Sequence, residues 1–64
     1  MKTYYAVTTS FYNDGRVICN ITDSVQAERK PEDTVKSLMT KDVYVDWFSS
    51  FKKAEEFVQA ARLA

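Results

Sequence analysis

Asp42 and Asp46 are the pair of side chains whose type and spacing most invite a catalytic reading. Two carboxylates can divide acid and nucleophile work when they stand about 5 Å apart, or acid and base work at up to roughly 9.5 Å. Four residues along an extended strand put them on one face but roughly 13 Å apart, so they read as solvated strand charges. The chain has no histidine. That removes His-ligated zinc, Ser-His-Asp and Cys-His catalysis, and histidine proton shuttling. The single cysteine, Cys19, can form neither an intramolecular disulfide nor a thiolate metal site, and a single glycine cannot build a phosphate-cradling loop. Cys19 falls among apolar residues and is expected as a small buried hydrophobe rather than a nucleophile. Asn20-Ile21-Thr22 matches a glycosylation acceptor, a triplet that recurs by chance. The expectation is a protein with no enzymatic activity, no metal and no cofactor.

The tyrosines offer a different chemistry. Tyr4, Tyr12 and Tyr44 are expected on the strand parity that faces away from the core, together with Ile18, and these four are the candidate interface residues. Rings on an open sheet face can stack on single-stranded bases, with Lys2 and Arg16 nearby for phosphates. Nine basic and nine acidic residues leave no net charge, whereas phosphate binding usually rests on a basic excess. An exposed aromatic face with balanced charge points first to a protein partner or a second copy of the chain, with nucleic acid as the alternative. The ordinary alternative for each ring is a strand tyrosine lying half-exposed with its phenol outward.

These residues must be positioned by one small domain spanning 1–64. A chain this short buries only about 60% of its unfolded surface, so its core must be dense or shared with a partner. No apolar run approaches the roughly 20 residues that span a bilayer. Met1-Lys2-Thr3-Tyr4-Tyr5 lacks a signal-peptide core, and a secreted domain of this size would normally carry paired cysteines. A cytoplasmic protein encoded by a complete small reading frame, with no membrane partner, is expected.

Tyr4 to Tyr12 carries Tyr5, Val7, Thr9 and Phe11 on one parity. Arg16 to Ala27 carries Val17, Cys19, Ile21, Val25 and Ala27, interrupted by Asp23. Asn13-Asp14-Gly15 between them is a hairpin signal. A three-residue loop sets Phe11 opposite Val17, Thr9 opposite Cys19 and Val7 opposite Ile21, the register that brings both apolar sets to one side. It also places Gly15 at the left-handed position of a type I turn with a G1 bulge. Asp42 to Phe48 alternates as a strand. Ser50 is expected to cap a helix, with Ser49 as the alternative. Phe51, Ala54, Phe57, Val58, Ala61 and Ala64 then form one apolar stripe, while Lys52 and Lys53 oppose the helix dipole in the first turn.

Two stretches leave alternatives. Pro31-Glu32-Asp33 can start a short helix over 31–39, with Val35, Leu38 and Met39 at helical spacing; otherwise 28–41 is a polar connection that becomes extended near Ser37. In the last strand, Val43, Val45 and Trp47 are expected on the core side, with Trp47 packed under Phe51 and Val58. The opposite phase turns Tyr44 and Phe48 inward and makes Trp47 an interface anchor. The resulting fold class is α+β: a three-stranded antiparallel sheet with one C-terminal amphipathic helix on one face, in the order β-β-β-α.

Asp14-Gly15-Arg16-Val17, Lys30-Pro31, Asp42-Val43-Tyr44-Val45-Asp46-Trp47-Phe48-Ser49-Ser50 and Ala54-Glu55-Glu56-Phe57-Val58 together cover most of the chain. On these residues the sequence resembles a set of short proteins of Gram-positive bacteria, often encoded by phages or integrative elements. No activity is assigned to that set. The resemblance implies a mobile-element accessory protein and carries over no functional residue.

Overall fold

The computed structural model describes residues 1–63 as four strands and one helix. The elements are β1 (Lys2–Tyr12), β2 (Val17–Ala27), β3 (Thr34–Ser37), β4 (Lys41–Phe48) and α1 (Phe51–Leu63). All pairings are antiparallel, in the spatial order β2-β1-β4-β3. The architecture is α+β with a C-terminal helix, as expected, but the sheet has a fourth strand where three were expected.

The first hairpin adopts the expected register, with Phe11 opposite Val17, Thr9 opposite Cys19 and Val7 opposite Ile21. Its loop closes through Tyr12 N–H to the Arg16 carbonyl at 2.9 Å and Gly15 N–H to the Tyr12 carbonyl at 3.0 Å. Gly15 has φ of 95°, the left-handed region where a Cβ is costly. Further along, the register shifts by one residue between Ala6 and Val7, leaving Thr22 as the extra residue of a bulge in β2. The bulge reverses the parity of the strand beyond it. Val25 therefore pairs with Tyr4 and Ala27 with Lys2, on the face away from the helix. The expected placement of Val25 and Ala27 beside Cys19 is corrected accordingly.

The region 31–39 is not helical. Thr34–Ser37 forms an edge strand on β4, with Thr34 opposite Val45 and Ser37 opposite Asp42. Thr34 and Val35 are β-branched, and pairing with β4 supplies backbone hydrogen bonds that a marginal one- or two-turn helix would have to nucleate alone. Asp33 ends this ladder with its side chain: Trp47 N–H donates to Asp33 Oδ1 at 2.9 Å.

β4 takes the second of its two phases. Tyr5 pairs with Phe48, Val7 with Asp46, Thr9 with Tyr44 and Phe11 with Asp42. Since Val7 faces the helix, Phe48, Asp46, Tyr44 and Asp42 share that face. Val43, Val45 and Trp47 lie on the other. The expected burial of Trp47 under Phe51 and Val58 is thereby overturned. Phe48 fills that role, its ring 5.2 Å from that of Phe57.

Ser50 caps α1: its carbonyl accepts from Ala54 N–H at 3.0 Å and its Oγ from Lys53 N–H at 3.4 Å. Ala54 and Val58 are buried against Val7 and Cys19, with Tyr5, Ile21, Phe48 and Ala61 around them. Phe51 and Phe57, at the margins of the expected stripe, remain half-exposed, and Phe51 meets the edge of the Tyr5 ring at 5.4 Å. Ala64, the last residue assigned to the stripe, lies outside the described residues. Near its end, Arg62 reaches the β2 edge and donates to Asn20 Oδ1 at 2.7 Å. No described helix is long and apolar enough to cross a membrane.

Candidate functional site

The sheet presents two different faces. α1 covers one of them in part, and among the described residues no helix lies on the other, although Tyr4, Ala6 and Ser10 are buried there; the Cα extents are 40 × 24 × 12 Å. Alternation along the strands places Tyr4, Ala6, Thr8, Ser10 and Tyr12 of β1 on the bare face. Ile18 and Val25 of β2 flank them on one side. Val43, Val45 and Trp47 of β4 flank them on the other. Small residues in the central strand (Ala6, Thr8, Ser10) sit between larger ones on both neighbours, and Asn20 and Asp23 of β2 share the face, so its apolar part lies mainly along β4. Thr8 and Thr22 close its polar spine with a 2.7 Å hydroxyl contact across the bulge.

The candidate interface residues divide. Ile18 is on the bare face and 44% exposed; Tyr12 is there and half-buried. Tyr4 is also there but only 6% exposed, so its ring is part of the packing rather than a free contact. Tyr44 is on the opposite face, beside Phe11, with the two rings edge-to-face at 5.5 Å. Tyr4, Tyr12 and Tyr44 therefore do not form one platform. Arg16 and Lys41 both approach the Tyr12 ring, at 4.7 and 5.0 Å from its centre, and Lys41 Nζ donates to the Tyr12 hydroxyl at 3.3 Å. Both cations are within cation–π distance of the Tyr12 ring.

Val43, Val45 and Trp47 stand on the bare face against expectation. The signal that could have found them is the apolar character of both parities of β4, since Tyr44 and Phe48 alternate with them.

On the helix side, α1 runs toward β2 and leaves the hairpin end of β1 and β4 uncovered. Phe11, Tyr44 and Phe57 remain 44%, 40% and 38% exposed around a depression of about 380 Å³, which Thr9, Asp46 and Ala61 complete. Asp46 titrates above the ordinary carboxylate range because burial disfavours its charge and Asp33 repels it, with Lys30 acting the other way. Asp42, its partner in the paired-carboxylate reading, instead accepts from Ser37 Oγ at 2.7 Å. At the hairpin tip Asp14 titrates below its ordinary range: the Arg16 N–H donates to it, and the guanidinium adds a 2.8 Å ion pair. Cys19 is buried, with its sulfur 3.3 Å from Thr9 Oγ1.

The chain matches no family model, no curated protein and no solved structure among those compared.

Proposed function

We propose that this chain is a protein-interaction module that associates through the sheet face turned away from α1. The observation that carries the reading is the pairing that sets Ile18, Val25, Val43, Val45 and Trp47 on one face, where Ile18 is 44% exposed and the other four are partly buried. A sheet needs one apolar face to hold its helix, and a second apolar face on the same strands costs solubility unless something covers it. Four strands spaced at about 4.8 Å make a surface roughly 19 Å wide. With strand lengths of about 25 Å this gives on the order of 500 Å² in projection, and more once side-chain relief is counted. That approaches the roughly 800 Å² per partner of an ordinary specific interface. Its content of Trp, Ile and Val with a rim of Lys2, Lys36 and Lys41 has the apolar centre and polar edge of such contacts.

The test is a pair of charge insertions on opposite faces, one on the inner strand β4 and one on the edge strand β3, with the urea midpoint of each variant measured to separate lost association from lost folding. Val43→Glu alters the bare face, and Val35→Glu alters the helix side, where Val35 is 64% exposed. Sedimentation equilibrium of the purified protein over a wide concentration range reads self-association. Affinity capture from the host with both variants, with and without nuclease, reads a foreign partner. Association kept by Val35→Glu and lost by Val43→Glu supports the reading. Association lost equally by both, a monomer that retains nothing, or a retained set that vanishes with nuclease counts against it, the last in favour of nucleic acid.

A further inference from the structure

The depression beside the end of α1 has the chemistry of a ligand site. Three aromatic residues, Phe11, Tyr44 and Phe57, border it in a mostly apolar lining, and Asp46 is among the residues that line it. Alternation along β4 fixes that carboxylate on the helix side between Tyr44 and Phe48, opposite Val7. Among the described residues the one ion pair is Arg16 with Asp14 at the far hairpin tip. Lys30 lies near enough for its field to reach Asp46 but forms no ion pair with it. The side chain is thus a partly buried charge with a rim of rings and no direct counter-ion.

Each class of occupant can be weighed against that arrangement. A wholly neutral apolar molecule would cover the carboxylate and remove its water without replacing it. An anion would meet Asp46 and the negative faces of the rings. A hard divalent cation needs six or more oxygens, or several ordered waters, and finds one carboxylate. An organic ammonium suits this lining: its charge is drawn to Asp46, its polarised C–H and N–H groups to the aromatic residues, and its apolar body fills the remaining volume. At about 380 Å³ the hollow is at the small end of ligand pockets, which run from roughly 300 to 1,000 Å³.

We propose that this depression binds a small organic ammonium ion, with Asp46 as its counter-ion and Phe11, Tyr44 and Phe57 as its walls. The site lies on the helix side of the sheet, so it stands or falls independently of the interface on the bare face.

The experiment is a titration of the isotopically labelled full chain, followed by amide chemical shifts, with 2-phenylethylammonium and with 2-phenylethanol. The two probes share a body and differ in charge. The ammonium is expected to shift the amides of Thr9, Tyr44, Asp46 and Phe57 saturably and to bind about tenfold more tightly than the alcohol. Asp46→Asn should abolish that preference while leaving the rest of the spectrum in place, and Phe57→Leu should weaken the ammonium with the fold retained. Absence of saturable shifts at millimolar ammonium would overturn the proposal. So would equal binding of the two probes by the native chain, which decides the matter even if a variant fails to fold.

Discussion

The two hairpins differ in length, with strands of 11 and 11 residues in one and 4 and 8 in the other, and they are specified in different ways. In β1–β2, Phe11, Val17 and Cys19 make one parity near the turn the more apolar, Ser10 and Asn20 make the other the more polar despite Tyr12 and Ile18, and Asn13-Asp14-Gly15 supplies a glycine at the position with φ of 95°. Only one register satisfies both demands. In β3–β4 the turn is Leu38-Met39-Thr40, without Gly, Asn or Asp, and both parities of β4 carry large apolar groups. Nothing local decides which way it faces. Its phase comes from its partners: Phe48 beside Tyr5 and against Phe57, Tyr44 against Phe11. A period of two specifies a register only when the two faces differ in polarity.

The largest effect that could break this comparison is in β4 itself. Phe48→Ala should cost about 2 kcal/mol, toward or below the low end for a core phenylalanine because its ring is partly exposed. Val45→Ala, on the bare face, should cost under about 1 kcal/mol in the isolated chain. Urea melts of the two variants check this; a larger loss for Val45 would return β4 to the opposite phase.

Next come the turns. Gly15→Val should cost about 1 kcal/mol or more. Nothing lies within 4 Å of the position its Cβ would take, so the loss is one of backbone conformation and not of space. Thr40→Gly in the other hairpin should stay within about 0.5 kcal/mol. Similar midpoint shifts for both would remove the distinction between a turn set by its residues and one set by its neighbours.

The same distinction explains what is legible in the sequence. Val7, Cys19 and Ile21 can be placed together because their parity is unopposed, and Ser50 announces the helix because a serine stands directly before the first apolar helical position. The bulge at Thr22 leaves no mark: strict counting from Ile21 carries Val25 to the wrong face, and only pairing with Tyr4 shows the slip. The approach to β3 reads as a helix start because Pro31-Glu32-Asp33 fits a first turn. The structure uses Asp33 to end a ladder at Trp47 instead. The interface candidates inherit these errors. Ile18 and Tyr12 belong to the well-specified hairpin and lie where expected, whereas Tyr44 belongs to β4 and faces the other way. Val43, Val45 and Trp47 take its place on the bare face for the same reason.

A smaller effect tests whether the second hairpin leans on the first. Asn13 joins the tips, donating from Nδ2 to the Met39 carbonyl at 2.8 Å and from its backbone N–H to the Thr40 carbonyl at 3.0 Å. Asn13→Ala removes the side-chain bond alone, at about 0.5–1 kcal/mol. Amide exchange at Leu38, which bonds the Lys41 carbonyl at 2.8 Å, should quicken more than exchange at Gly15. Uniform acceleration would make the sheet one cooperative unit without a dependent part.

The smallest effect is electrostatic, and it has opposite signs in the two hairpins. Asp14 titrates below its ordinary value of 3.8 because the Arg16 N–H, and then the guanidinium, favour its charge. Its contribution to stability is present above that value and lost as pH falls through the folded-state pKa. Asp46 titrates above 3.8 through burial and the nearby Asp33. A carboxylate raised on folding favours the folded state when protonated, so its contribution is full below 3.8 and lost as pH rises through the folded-state value. Asp46→Asn should therefore raise the urea midpoint at neutral pH, with the gain shrinking toward pH 3.8. Asp14→Asn should lower the midpoint at neutral pH, with the loss fading in acid. If Asp46→Asn lowers the midpoint at neutral pH, the carboxylate has a favourable partner in the folded chain, and the hollow beside α1 is no longer a charge awaiting a counter-ion. If it raises the midpoint, the fold carries that charge at a cost in stability that a bound ammonium would relieve.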